Sequence, residues 1–252
     1  MIKMSHVYAG YGNEKVLHDV NLSFEAGKIT IIVGPNGCGK STLLKTLIRM
    51  NPSTSGQIKI DGNLVDGLKS NELAQKIAYL PQGKHAPDIT VKRMVLHGRF
   101  AYLKYPRRYR KEDYEMAEKA MKLVGIEDLE EKNVSQLSGG TQQKVYIAMA
   151  IAQDTPVVLM DEPTTYLDIS HQMKLMEWAR KLADQGKAVI LVLHDLGQAF
   201  RYADQIVVMS EGKVLDCGSP EDIYIKEIVN DVFQIQMSRV LTESGYQYFV
   251  MQ

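Results

Sequence analysis

The sequence predicts an α/β fold, on the strength of three features of the chain. From Ser138 onward, apolar runs of strand length alternate with longer segments of helical periodicity. One fully apolar run, Ile29 to Val33, stops abruptly at a glycine, and a helical segment follows it. Around that run, short β-rich segments separated by glycines are typical of antiparallel strands. The alternation favours parallel strands joined by crossover helices.

The first part of the chain, from Met1 to about Gly62, predicts antiparallel strands around one buried strand. Val20 to Phe24 and Gln57 to Ile60 are the clearest of the antiparallel candidates. Ser41 to Met50 carries apolar residues at helical spacing, so a helix is expected directly after the buried strand.

The middle of the chain is more charged and predicts an inserted helical lobe. Val91 to Phe100 is one candidate helix, and Glu112 to Leu123, closed by Gly125, is a second. We therefore expect a single domain over residues 1–252. Its core is predicted over 1–82 and 138–252, and its helical subdomain over 83–137.

The last part of the chain predicts the alternating strands and helices of the core. In order, the expected elements are a helix ending at Gln153, strand Val157 to Met160, helix Ser170 to Asp184, strand Ala188 to Leu193, helix Leu196 to Ala203 and strand Ile206 to Met209. Phe233 to Gln252 predicts a small extension that contains strands, and its sequence indicates no function.

Composition narrows the possible classes of protein. Lysine plus arginine number 30, as do aspartate plus glutamate, so no net field attracts the chain to nucleic acid. Two cysteines are too few for a disulfide framework and favour a reducing compartment. The start lacks the apolar core of a secretory signal, and no apolar run approaches the ~20 residues that span a bilayer. Any membrane role is expected to come through a partner.

A glycine-rich loop follows the buried strand and matches the phosphate-loop pattern GxxxxGK[ST]. Glycines let backbone N–H groups point at phosphate oxygens, and the following helix directs the positive end of its dipole there. Lys40 adds a charge near the terminal phosphates, and the hydroxyl of Ser41 suits Mg²⁺. The predicted nucleotide-binding residues of the loop are Gly34, Asn36, Gly37, Cys38, Gly39, Lys40, Ser41 and Thr42.

Two further strands end in polar residues that suit phosphate chemistry. Asp161 and Glu162 follow one strand, where the first could hold Mg²⁺ and the second could accept a proton from an attacking water. His194 ends the next strand and could contact a terminal phosphate or orient that water. Solvated loop carboxylates and a rim histidine are the alternative interpretations.

The motif Leu137-Ser138-Gly139-Gly140 makes a resemblance to ABC-type ATPases clear. It lies about 100 residues after the phosphate loop and about 20 before the VVLMDE strand, as the signature motif does in that family. Four further segments are similar to family motifs: Tyr11 to the adenine-stacking aromatic residue, Gln82 to the Q-loop glutamine, Thr165 to Asp168 to the D-loop, and His194 to the switch histidine.

The resemblance implies a two-lobed ATPase domain, with a P-loop core, an antiparallel β subdomain and an inserted helical subdomain. It also implies a homodimer that holds two ATP molecules head to tail. One face of each site is then Lys40, Ser41, Thr42, Gln82, Asp161, Glu162 and His194, and the other is Ser138 and Gly140 of the second copy. The expected ligands are ATP and Mg²⁺. Tyr11, Gly139 and Asp168 are also expected to contact ATP, and Mg²⁺ is expected to be held by Ser41, Gln82 and Asp161.

Segments such as DEPTTYLDISHQ and HDLGQAFRYAD resemble the ATPases of bacterial importers for ferric siderophores, haem and cobalamin. That resemblance implies integral membrane permease subunits, an indirect link to an extracytoplasmic substrate-binding protein, and peripheral attachment at the cytoplasmic face of the membrane. The permease is expected to place a helix against the helical lobe and the groove near Gln82. The isolated chain is expected to be soluble.

Three other classes of protein are alternatives to the importer. A soluble ABC protein that acts on nucleic acid or ribosomes is the main alternative, although no nucleic acid is expected as a partner of a neutral chain. A GTPase is disfavoured because no Asn-Lys-x-Asp element follows the acidic strand, and an exporter because no membrane helices are fused to the cassette.

One residue departs from the family's signature motif, and one basic stretch allows several interpretations. Thr141 stands where the family has glutamine, and its shorter side chain cannot make the same contacts across a dimer interface. A basic stretch interleaved with tyrosines fits a solvated surface, contact with the permease or lipid headgroups, or nucleic-acid binding. Its basic residues are Arg99, Lys104, Arg107, Arg108, Arg110 and Lys111.

Overall fold

The apolar run Ile29–Val33 forms a strand that is buried along its whole length in the computed structural model. The structure describes residues 2–12, 14–83, 86–165, 167–243 and 245–251. The strands are β1 (Ile2–Tyr11), β2 (Glu14–Phe24), β3 (Ile29–Val33), β4 (Ser53–Ile60), β5 (Asn63–Leu64), β6 (Ile77–Leu80), β7 (Val157–Asp161), β8 (Ala188–Val192), β9 (Gln205–Ser210), β10 (Lys213–Gly218), β11 (Gln236–Thr242) and β12 (Gly245–Met251).

The helices follow the strands in the alternation that the sequence predicts. They are α1 (Lys40–Leu47), α2 (Ser70–Ala74), α3 (Val91–Leu96), α4 (Lys111–Val124), α5 (Gly139–Gln153), α6 (Ile169–Asp184), α7 (Leu196–Tyr202), α8 (Pro220–Ile225) and α9 (Ile228–Phe233). No helix among the described residues is long and apolar enough to cross a membrane.

The chain divides into two units, and the first comprises residues 1–68 and 179–252. In this unit β3 lies between β8 and β9 and pairs with both in parallel. Strands β3 and β8 are buried at every position, as expected for parallel strands covered on both faces. Strand β10 extends this sheet by antiparallel pairing with β9.

The first unit also contains two antiparallel sheets. One has the strand order β2-β1-β4-β5, in agreement with the antiparallel region predicted around the buried strand. The other is a two-stranded hairpin of β11 and β12. Strands were expected after Phe233, whereas β10, α8 and α9 were not predicted from the sequence.

The second unit comprises residues 69–178 and contains β6 and β7, which pair in parallel. Helix α5 contacts α3, α4 and the 3₁₀ turn that follows α3. Gly125 ends α4 in the left-handed conformation (φ 67°), which glycine adopts without strain. The predicted helical subdomain, 83–137, falls inside this unit. That these residues form a subdomain of their own stays a prediction.

One predicted helix is wrong in its extent. The sequence favours a single helix from Val91 to Phe100, but α3 ends at Leu96 and a 3₁₀ helix spans His97–Tyr102. The cause is a close approach to α5, since a Cβ built at Gly98 would lie 2.3 Å from the carbonyl oxygen of Met149. This tertiary contact overrides the helical periodicity of the segment.

Candidate nucleotide-binding site

The phosphate loop joins β3 to α1 in the first unit, as predicted. Gly37 and Gly39 have φ values of 80° and 103°, which other residues adopt only with strain. A Cβ built at Gly34 would lie 2.2 Å from the carbonyl oxygen of Met209, so that position also requires glycine. No side chain caps the start of α1, so its first N–H groups form a cradle of the kind that binds phosphate.

The ammonium group of Lys40 is buried and folds back over the loop. Its Nζ donates hydrogen bonds to the carbonyl oxygens of Gly34 at 2.7 Å and Pro35 at 2.9 Å. The Sγ of Cys38 lies 3.9 Å from the same nitrogen, and burial raises the pKa of this thiol. Cys38 is thus a protonated loop residue, and Lys40 can exchange two neutral carbonyl acceptors for charged phosphate oxygens.

Other predicted residues of the first unit lie at the ends of strands. Tyr11 is the last residue of β1, and half of its surface is exposed, which leaves its ring accessible for stacking. His194 follows β8 and is exposed. The carboxylate of Asp195 accepts a hydrogen bond from the backbone N–H of Gln198 at 3.0 Å and caps α7, which fixes the turn next to His194.

Asp161 and Glu162 occupy very different environments at the end of β7 in the second unit. The carboxylate of Asp161 is 2% exposed and accepts a hydrogen bond from the hydroxyl of Tyr79 at 3.2 Å. Glu162 has a φ of 47°, a strained conformation for a residue with a Cβ that is frequent at functional sites. Its Oε2 accepts a hydrogen bond from Nε2 of Gln82 at 2.5 Å. The structure thus brings together two residues 80 positions apart in the sequence.

A cavity of about 340 Å³ in the second unit surrounds the Gln82 and Glu162 pair. Gly139, Gln142, Gln143 and Tyr146, all from α5, also line it. The amide Nε2 of Gln143 donates to the carbonyl oxygen of Pro163 at 2.8 Å, which ties α5 to the segment after β7. Sequence reasoning missed Gln143 and Tyr146, because helical spacing alone does not show which face of α5 meets the segment after β7.

The signature motif forms the start of α5. Ser138 is the N-cap, and its Oγ accepts a hydrogen bond from the backbone N–H of Thr141 at 3.4 Å, in agreement with the predicted cap. The hydroxyl of Thr141 lies 3.0 Å from the same Oγ. The residue that departs from the family pattern therefore contacts the signature serine within its own chain.

Asp168 is the last residue of the predicted D-loop segment and lies at the start of α6. Its carboxylate accepts hydrogen bonds from the backbone N–H and the ring Nδ1 of His171, both at 2.8 Å. These hydrogen bonds lower the pKa of Asp168 below its ordinary value. Tyr166, in the middle of the segment, lies outside the described residues.

The basic stretch does not form one continuous solvated surface. Arg99 is largely buried and pairs with Asp113, with Nε 3.1 Å from Oδ1. Its Nη1 donates to the carbonyl oxygens of Ala152 at 3.0 Å and Gln153 at 3.3 Å. Arg99 therefore stabilises the last turn of α5, whose terminal carbonyls attract a positive charge. Arg107 stacks on the ring of Phe100 at 4.9 Å.

The fold, the phosphate loop and the acidic strand end together define a nucleotide-binding ATPase cassette. Residues 17–165 match the family model of the ABC transporters, which is more than half of the chain. The chain therefore belongs to the ABC transporter family, and it is an ATP-binding subunit of the kind whose ATP hydrolysis is coupled to transport.

Two relatives are named for petrobactin import and for ferric enterobactin transport. The petrobactin import ATP-binding protein FpuD of Bacillus anthracis is 39% identical over 228 residues, which is 90% of this chain and 84% of the relative. The ferric enterobactin transport ATP-binding protein FepC of Escherichia coli (strain K12) is 42% identical over 229 residues, again 90% of this chain and 84% of the relative.

A solved structure supports the fold. The dimeric ATP-binding cassette MJ0796, in a post-hydrolysis state bound to ADP and Pi, is 30% identical and superposes with a TM-score of 0.75. The superposition covers 87% of this chain and 99% of that one. The predicted α/β cassette with an antiparallel β region is confirmed.

Proposed function

We propose that this chain is the ATP-hydrolysing subunit of a membrane importer whose cargo is a ferric siderophore, with haem and cobalamin as alternative cargoes. The observation that carries the proposal is the identity of 39% and 42%, each over 90% of this chain, to two subunits named for petrobactin import and ferric enterobactin transport. The cargo itself would contact other subunits, so its assignment depends on these relatives.

ATP binding begins at the phosphate loop and α1. Backbone N–H groups of the loop would bind the phosphate oxygens, and Tyr11 would stack on the adenine ring. Lys40 would leave the carbonyls of Gly34 and Pro35 and pair with the terminal phosphates, because a charged acceptor makes a stronger hydrogen bond than a neutral one. His194 would contact the γ-phosphate from the end of β8.

Hydrolysis would use Glu162 to accept a proton from the attacking water. The amide of Gln82 donates a hydrogen bond to one oxygen of this carboxylate, and it would release that oxygen when the water binds. Glu162, which has a left-handed backbone conformation, lines the same cavity as Gln82, where an attacking water would reach its carboxylate.

The residues present are suited to Mg²⁺. The hydroxyl of Ser41, the amide oxygen of Gln82 and the buried carboxylate of Asp161 are hard oxygen ligands, which this ion prefers. The hydroxyl of Tyr79 orients the Asp161 carboxylate in a low-dielectric environment. When bound, the ion would neutralise charge that develops on the phosphates.

Each site would be completed by a second copy of the chain. Ser138 and Gly140 would meet the γ-phosphate bound to the partner copy, where the dipole of α5 adds to the hydrogen bonds. The solved structure of MJ0796 is dimeric, which supports a paired arrangement for this cassette. Asp168, held by His171, would lie close to the same interface.

The permease would contact the second unit, which would attach the protein to the cytoplasmic face of the membrane. A cavity of about 620 Å³ in this unit suits a helix end from the permease, because its lining is mixed and includes apolar side chains. Phe100 lines this cavity and is 47% exposed, so a large apolar side chain is accessible to a partner. An extracytoplasmic binding protein would act through the permease alone.

The proposal is tested by copurification from native membranes. Tagged Glu162→Gln chain, held in the paired state by ATP, should retain a many-helix permease that mass spectrometry identifies. The matched control is tagged Ser138→Arg, which should retain less permease because it cannot pair around ATP. Recovery of ribosomal proteins or nucleic acid in place of a permease would contradict the importer assignment and favour the soluble alternative.

A further inference from the structure

The hairpin of β11 and β12 is the part of the fold that the proposed function leaves without a role. It packs on α7, the helix that begins two residues after His194. The backbone N–H of Met237 in β11 donates to Oδ1 of Asn230 at 3.0 Å, and Met237 is 6% exposed. The hairpin is therefore fixed to the body of the first unit and is not a loose end of the chain.

Tyr248 of β12 is the centre of an aromatic cluster that joins the hairpin to two helices. Its ring centroid lies 4.9 Å from that of Phe200 in α7 and 5.3 Å from that of Tyr224 in α8. Aromatic pairs at such distances attract each other beyond the effect of area burial. Phe200 is buried in α7, so Tyr248 packs against a buried side chain of the short helix that follows His194.

Arg239 of β11 fixes the other end of the cluster. Its guanidinium group lies 4.8 Å from the ring centroid of Tyr224 and 4.0 Å from that of Tyr246. It also pairs with Glu221, with Nη1 3.1 Å from Oε1. These contacts hold two rings against one cation, which limits the freedom of the hairpin to slide along α7 and α8.

The hairpin also approaches the backbone next to His194. A Cβ built at Gly197, in the first turn of α7, would lie 3.4 Å from the carbonyl oxygen of Tyr248. His194, Asp195 and Gly197 line a cavity of about 490 Å³ together with Tyr248 and Phe249. The turn that carries His194 is thus bounded on one side by α7 and on another by β12.

From this arrangement we infer that the C-terminal hairpin is a positioning element for His194 and that Tyr248 is the residue through which it acts. The inference rests on the proposed role of His194 at the γ-phosphate. Tyr248 would act without contacting the nucleotide itself. It sets the position of α7, and through the cap at Asp195 it sets the turn from which the imidazole reaches its ligand.

The test compares hydrolysis by Tyr248→Ala, Tyr248→Phe and the unchanged chain. We expect Tyr248→Ala to lower kcat about tenfold or more, since small displacements of a contacting group have large effects on rate. The KM for ATP and the binding of a fluorescent ATP analogue should change less than about twofold, because the phosphate loop and Tyr11 are untouched. Tyr248→Phe keeps the ring and should restore kcat. Val240→Ala, an exposed change elsewhere on the hairpin, is the control.

A double-mutant cycle separates positioning from a general loss of stability. His194→Ala and the double variant His194→Ala, Tyr248→Ala should have the same kcat, because Tyr248 acts only through the imidazole. If Tyr248→Ala does not fold, Tyr248→Leu keeps much of the apolar volume and should show the same selective loss.

Two results would overturn the inference. One is a kcat for Tyr248→Ala, or for Tyr248→Leu, equal to that of the unchanged chain. The other is a double variant whose kcat falls by the product of the two single effects. If His194→Ala itself hydrolyses ATP at full rate, the proposed role of His194 fails, and the inference fails with it. If His194→Ala is slow and Tyr248→Ala is not, only the inference fails.

Discussion

Nε2 of Gln82 donates a hydrogen bond to Oε2 of Glu162 across 2.5 Å, within the second unit of the chain. The two side chains come from the ends of neighbouring parallel strands, β6 and β7, so the sheet itself brings them together. The contact places an amide against the carboxylate that we propose as the base. It suggests that the position of Gln82 decides when that carboxylate is available to water.

Removing the amide should slow hydrolysis without weakening ATP binding. We expect Gln82→Ala to lower kcat roughly tenfold to a hundredfold, because the carboxylate loses the group that orients it and the proposed metal loses an oxygen ligand. Steady-state hydrolysis and equilibrium binding of a fluorescent ATP analogue measure the two effects. Gln185→Ala, an exposed glutamine elsewhere, is the control and should match the unchanged chain. A normal kcat in Gln82→Ala would contradict the role.

Lys40 should matter for phosphate binding. We expect Lys40→Ala to raise the Kd for ATP at least about tenfold. The variant lacks the ammonium group that would leave the carbonyl oxygens of Gly34 and Pro35 to bind the phosphates. Isothermal titration of the variant with ATP measures the change, and Lys59→Ala, on the exposed surface of β4, is the control. Equal affinity for ATP in Lys40→Ala and the unchanged chain would contradict this role, because it would mean that the ammonium group remains bonded to Gly34 and Pro35.

The departure at Thr141 gives a third prediction. Because its hydroxyl lies 3.0 Å from Oγ of Ser138, Thr141→Val should free the serine side chain and weaken ATP-dependent pairing several-fold, by about 1 kcal/mol. Thr141→Ser retains a hydroxyl and should pair like the unchanged chain. Size-exclusion chromatography in the Glu162→Gln background measures pairing across a dilution series. Identical dilution curves for all three chains would mean that the contact has no effect on pairing.

Two ion pairs in the second unit should differ in their effect on stability. Arg99 and Asp113 are 12% and 8% exposed, so Arg99→Met should lower the free energy of unfolding by about 3 kcal/mol, because it leaves a buried carboxylate without its charged partner. Lys122 and Glu118 form a pair at 2.9 Å on the exposed face of α4, and Lys122→Met should be neutral. Urea unfolding of both variants provides the comparison. Equal stabilities would contradict the burial argument.

Local signals explain what the sequence could predict. The strand Ile29–Val33 was predicted with its observed bounds, because a buried parallel strand is apolar at each position and a glycine ends it. The N-cap at Ser138 was predicted from its place before a helical segment, and the structure confirms it. Both depend on residues close in sequence.

Contacts between distant segments explain what the sequence could not predict. The break after Leu96 depends on the backbone of α5 at Met149, and the left-handed conformation of Glu162 depends on how the segment after β7 turns. The packing of Tyr248 on Phe200 joins residues 48 positions apart. No periodicity within one segment encodes such contacts.

The central claim is that each site needs two copies of the chain. Mixing two inactive variants tests it most directly. Lys40→Ala lacks the phosphate contact, and Ser138→Arg blocks the signature face, but a mixed pair contains one intact site. An equimolar mixture should therefore recover ATP hydrolysis, up to about a quarter of the activity of the unchanged chain, since half of random pairs are mixed and each has one good site of two. A mixture no more active than the sum of its separate components would contradict the account.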